Sequence, residues 1–169
     1  MKVWNTFLLI TCTLVSQGCT TINWNDPSSI AKEIEVKKDQ FTKKTSIVGP
    51  DSASLTPGHY GTWDDVRLSA TKSETGSLVY RIEVAASRND EWMFLDSGYD
   101  SSGAKLHVVP VDHMVLPPSL IEYLAIPVSR DYLVMNQDSG ITFELTGKRG
   151  SKRFSIPGTY IKVFLSVAS

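Results

Sequence analysis

The chain has 169 residues, with 17 Lys and Arg against 18 Asp and Glu and a formal net charge of −1. Balanced charge removes the electrostatic argument for a nucleic-acid partner. Apart from one N-terminal apolar run there is no long apolar stretch, and the length fits one domain of ordinary size.

Lys2 precedes an uncharged run, Val3 to Val15, rich in Leu, Ile, Val, Phe and Trp. A membrane-spanning helix needs about 20 apolar residues. Polar Ser16, Gln17 and Gly18 close this run early, as in a cleavable secretory signal. Ser16-Gln17-Gly18-Cys19 resembles the lipobox of bacterial lipoproteins, in which a small residue precedes the cysteine that receives diacylglycerol on sulfur before cleavage. Gly18, Cys19 and the apolar run carry the resemblance, while Ser16 stands where that family usually has Leu or Val. Small residues at Ser16 and Gly18 also fit an ordinary signal-peptidase site, and both enzymes would cut the bond between Gly18 and Cys19.

Cys12 leaves with the signal, so Cys19 is the one thiol of the mature chain and no internal disulfide can form. The resemblance implies lipidation at Cys19 and attachment to a membrane through it, with two or three acyl chains holding far more firmly than one. Thr20 follows the cysteine, where Asp would resemble an inner-membrane retention signal. The implied location is the bacterial envelope, on the outer membrane facing the periplasm in preference to the inner one. The expected organisation is a signal peptide over 1–18, a lipidated tether over 19–31 and a globular domain over 32–169.

The tether is polar and turn-prone except for Trp24, which suits either a headgroup layer or packing on its own domain. Ile34 and Val36 alternate with Glu35 and Lys37 as a short strand, and Asp39 to Ser46 is polar around Phe41. Gly49-Pro50 and Pro57-Gly58 mark a loop. Val66, Leu68 and Ala70, then Leu78, Tyr80, Ile82, Val84 and Ala86, alternate with mostly polar residues as two strands. Ser73-Glu74-Thr75-Gly76 is the hairpin turn between them. Arg88-Asn89-Asp90 and Asp100-Ser101-Ser102-Gly103 turn the chain into Trp92–Tyr99 and Ala104–Val115, so a four-stranded meander is expected.

Leu116-Pro117-Pro118 ends that run, and Ile121 to Val128 reads as a further strand. Ser129 is the expected N-cap of a helix from Arg130 to Ser139, with Gly140 at its C′ position and Tyr132, Leu133 and Met135 facing a sheet. Ile141–Thr146 and Arg153–Ile156 flank a basic turn. The C-terminus fits either a strand or a helix. Pro157 and a Thr159 cap favour a helix. The expected fold is α+β: a single domain, mainly antiparallel sheet of about six or seven strands, with two short helices late in the chain.

No catalytic constellation emerges. His107 and His113, read on one strand, stand roughly 20 Å apart at about 3.3 Å per residue, which excludes a shared zinc ion. Asp96 to Gly103 is similar to a calcium loop, but Gly98 lacks an oxygen ligand and no Glu closes the set. No Gly-x-Ser-x-Gly elbow or phosphate-binding glycine loop occurs. No metal and no cofactor is therefore expected. Lys148, Arg149, Lys152 and Arg153 cluster near one hairpin tip and suit an anionic partner, or simply a solvated, edge-protecting surface. Tyr60, Trp63 and Trp92 suit an aromatic recognition surface or the core.

The function expected from these features is a non-catalytic binding or structural accessory of the envelope, acting on an envelope protein partner. Two alternatives stand beside it: an exported enzyme acting on wall or surface polymers with His107, His113 or Asp112 in a cleft assembled by tertiary contacts, and a surface-exclusion or immunity lipoprotein.

Overall fold

A computed structural model describes residues 22–53 and 64–169. The signal segment, Gly18 and Cys19, and the loop residues His59, Tyr60 and Trp63 lie outside the described residues. Among the described residues the domain is mainly antiparallel sheet with three short helices.

Two sheets share one core. The larger contains β1 (Glu35–Lys38), β2 (Thr45–Val48), β4 (Asp65–Lys72), β5 (Leu78–Asn89), β9 (Ser119–Val128) and β8 (Val109–Leu116) in that order, with the short β3 (Ser52–Ala53) pairing with the start of β4. The smaller runs β11 (Gly150–Ile156), β10 (Ile141–Gly147), β6 (Leu95–Asp100), β7 (Lys105–Leu106). Period-two alternation sends Val66, Leu68, Ile82, Val84, Leu124 and Ile126 of the large sheet to the core, where they meet Leu95, Phe143, Leu145, Phe154 and Ile156 of the small one. Phe143 and Phe154 are stacked with centroids 5.6 Å apart.

Three helices close the remaining side: α1 (Pro27–Lys32), α2 (Arg130–Met135) and α3 (Gly158–Val167), with α1 and α2 both contacting α3. Tyr160 of α3 is fully buried, and its hydroxyl donates to the Pro50 carbonyl at 2.9 Å and accepts the Leu68 N–H at 3.0 Å. Gly49 lets the ring approach, since a Cβ there would collide with the Tyr160 hydroxyl.

The chain departs from its sequence-based expectations in five places. Pro27–Lys32 belongs to the domain: Asp26 accepts the Ser28 N–H at 3.0 Å as N-cap, Pro27 starts the helix and Ile30 is buried. Trp24 packs on Tyr160, ring centroids 5.3 Å apart, so the ordered fold begins well before residue 32. The meander is broken, because β5 pairs with β9, and β6 crosses to the other sheet to pair with β10 and β7. Ala104–Val115 splits into β7 and β8, one in each sheet.

The fifth departure concerns helix ends and faces. The C-terminal segment is helical, but its cap is Pro157 with no side-chain hydrogen bond, not Thr159. Ser129 caps α2 through its Oγ, which accepts the Tyr132 N–H at 3.0 Å, yet this helix ends at Met135. Leu133 is buried beneath α2, whereas Met135 is 74% exposed.

Candidate partner-binding face

The face of the large sheet turned away from the core carries an open groove of about 760 Å³. The ladder registers build it in rows. Asp65, Ala85, Tyr123 and Asp112 stand opposite one another across β4, β5, β9 and β8. The next row is Arg67, Glu83, Ala125 and Val109. Ala85 and Ala125 are small, so these rows sink at their centre. Charged Asp51, Asp65, Arg67, Glu83 and Arg81 stand on one side, and Val111, Met114 and Tyr123, with the single charge of Asp112, on the other.

The charged wall is internally paired. Arg67 Nε donates to Glu83 Oε2 at 2.8 Å, and its Nη1 reaches Asp51 Oδ1 at 3.4 Å. Burial, then the nearby negative charge of Asp51, push the Asp65 carboxyl up to about 6. A carboxyl with a raised folded-state pKa favours the fold while protonated, and that contribution is lost as pH rises from about 4 through 6. Asp65→Asn should therefore stabilise the domain above about pH 6, by about 1 kcal/mol once solvent screening of this partly exposed group is allowed for. The gain should vanish near pH 4. Urea unfolding at both pH values checks it, and an equal effect at each would contradict the assignment.

The apolar wall belongs to an edge. β8 ends the large sheet, all eight of its residues are exposed, and its outer side pairs with no other described strand. Val111 is 64% and Val115 63% exposed, with Met114 and Leu116 also open to solvent. At the opposite edge, β1 carries Glu35, Lys37 and Lys38, charges that discourage pairing with foreign strands. β8 has weaker protection: Pro110, which offers no N–H, a register shift between Pro110 and Asp112, and the single charge of Asp112. Trp92 extends this surface, its ring edge-on to His113 at 5.2 Å.

The histidines do not assemble a cleft. His107 lies exposed in the link between β7 and β8, His113 turns to Trp92, and of the proposed His107, Asp112 and His113 set only Asp112 lines the groove. Among the described residues no three His, Cys, Asp or Glu side chains are grouped to hold a metal ion. Asp100 instead organises a turn, its Oδ1 accepting the Ser102 and Ala104 N–H groups at 2.9 and 3.0 Å.

The basic tip is dispersed in the same way. Lys152 turns inward to the Asp64 carboxylate and the Ser87 carbonyl. Arg153 pairs with Glu144 at 3.2 Å, and Arg149 reaches Glu91 at 3.6 Å and lies over the Phe94 ring. Lys148 is exposed at the turn. Alternation along β11 explains the split, since neighbouring residues of a strand face opposite ways.

Comparison with known proteins finds no matching family model, no similar curated protein and no similar solved structure.

Proposed function

We propose that this protein is a membrane-anchored bacterial envelope lipoprotein whose domain binds another envelope protein without catalysis. Membrane attachment rests on the lipobox-like Ser16 to Cys19 segment. The observation that carries the binding role is β8: a fully exposed, largely apolar edge strand beside a groove with one charged and one largely apolar wall. An extended partner segment pairing with β8 would gain main-chain hydrogen bonds along the strand and lay alternate side chains into the groove. Holding both molecules at one membrane raises their effective concentration, so modest affinity suffices.

One observation favours the alternative of an exported hydrolase. Asp65, with its raised pKa, stands in the groove with Asp51 and Glu83, and a carboxyl of raised pKa beside further acidic side chains is the pattern that cleaves glycosidic bonds. The binding reading is preferred because Glu83 and Asp51 are engaged by Arg67 and the groove is open.

Photo-cross-linking in intact envelopes tests the proposal. A photoreactive residue at Val111 should capture a discrete envelope protein, while one at the equally open Met135, on α2, should not. Capture from both positions alike, or from neither, would count against the proposal.

A further inference from the structure

We infer that the tip of the β1–β2 hairpin is a membrane-contact site, in which Phe41 enters the headgroup region of the bilayer and Lys38, Lys43 and Lys44 bind anionic lipid headgroups. This rests on the proposed lipid anchor and specifies how the anchored domain sits.

Phe41 is 86% exposed, more than any other described large apolar side chain. It does not hang there loosely. Asp39 Oδ1 accepts the Phe41 and Thr42 N–H groups at 2.7 and 3.0 Å, the Asp39 N–H donates to the Lys44 carbonyl at 2.8 Å, and Lys43 takes a left-handed φ of 58°. The tip spends its one acidic side chain, Asp39, on its own backbone, and Lys38, Lys43 and Lys44 are all exposed. An exposed apolar ring with three exposed lysines within three residues of it along the chain matches the boundary between acyl chains and anionic headgroups, where long lysine stems bury and their ammonium groups stay wet.

Chain length gives the second argument. Ile22 packs against the core, so only Thr20 and Thr21 separate it from Cys19. Three residue steps span at most about 11 Å. The ordered N-terminus is also tied to the base of the hairpin, since Trp24 packs on Tyr160, whose hydroxyl holds Pro50, just past Val48, the partner of Glu35. From that base, four paired rungs, Glu35↔Val48 to Lys38↔Thr45, carry the tip outward by about 10 Å. Anchor reach and hairpin length are alike, as one bilayer holding Cys19 and touching the tip requires.

The test uses the acylated chain in vesicles of phosphatidylcholine, alone or mixed with phosphatidylglycerol. Phe41→Cys carries an environment-sensitive fluorophore, the Cys19 sulfur being acylated, and Ser102→Cys in an exposed turn serves as the reference. With anionic vesicles the label at 41 should shift to the blue and be quenched several-fold more by spin-labelled lipid than the label at 102. The excess should fall in high salt and in the triple variant Lys38→Glu, Lys43→Glu, Lys44→Glu. Protein that floats with the vesicles while both labels stay equally accessible to water would overturn the tip site and leave the anchor standing. Protein that does not float would overturn the anchor and the tip site with it. A label at 41 free in vesicles yet shielded in native envelopes would assign the tip to a protein partner and also overturn the inference.

Discussion

Replacing Glu122 with Ala should destabilise the domain by about 3–5 kcal/mol, one of the two largest single-residue effects expected here. Glu122 lies on β9, 2% exposed, on the face where its neighbours Leu124 and Ile126 enter the core. Its carboxylate accepts the N–H groups of Met93, Phe94 and Leu95 at 2.6, 2.9 and 2.8 Å. These three residues form the crossing by which the chain leaves the large sheet after β5 and enters the small one at β6. Phe94 holds a left-handed φ of 55° there, and Gly147 closes the other side, where a Cβ would strike the Phe94 and Met93 carbonyl oxygens. Alanine would strand three donors in a buried site at about 1–3 kcal/mol each, partly relieved by entering water. Glu122→Gln keeps one acceptor oxygen and should cost roughly half as much. Urea unfolding should show a lower midpoint with an unchanged slope. A loss below about 1 kcal/mol for alanine would show that the crossing is held by something else.

Lys152→Met should cost about 3–5 kcal/mol for a related reason. The Asp64 and Lys152 side chains are 1% and 10% exposed. Asp64 also accepts the Ser87 N–H at 2.6 Å, and Lys152 donates to the Ser87 carbonyl. Removing the ammonium leaves a buried carboxylate without its counter-charge, whereas removing both charges leaves none. Asp64→Leu combined with Lys152→Met should therefore recover much of the loss, giving a coupling energy above about 1 kcal/mol in a double-mutant cycle. Strict additivity would mean that the two groups do not act as a pair. Both clasps join the two sheets, Glu122 reaching from β9 to the start of β6 and Asp64 from the start of β4 to β11.

These clasps mark the limit of what the sequence discloses. Alternation along β4, β5, β9 and β10 is plain because one face of each strand meets the core. Turns at Gly76 and Gly103 are equally plain, both glycines taking φ near +85°. The partner of a strand is not written locally: Trp92–Tyr99 reads alike whether it continues a meander or crosses to a second sheet. The crossing relies on Asp90 and Phe94 at positive φ, with no glycine there to announce it. The groove was hidden for the same reason, since Asp65, Arg67, Glu83 and Tyr123 form one surface only once β5 is known to pair with β9. Helix α1 did carry a signal in Asp26-Pro27, but one buried residue, Ile30, is too little apolar pattern to separate a short helix from a polar tether.

The basic hairpin shows the opposite error. Four cations within six residues suggest a surface cluster, yet one of them is a core counter-ion for a carboxylate 88 positions away.

The central claim, an acylated anchor that presents the β8 edge to an envelope partner, is tested most directly by cross-linking from Val111 in fractionated envelopes, with the mature chain and its Cys19→Ser variant compared by intact mass. The prediction is a membrane-bound chain that begins at acylated Cys19 and carries a discrete protein adduct, with the serine variant released from the membrane and its adduct much reduced. A mature chain with an unmodified Cys19, or an adduct yield that does not depend on Cys19, would contradict it.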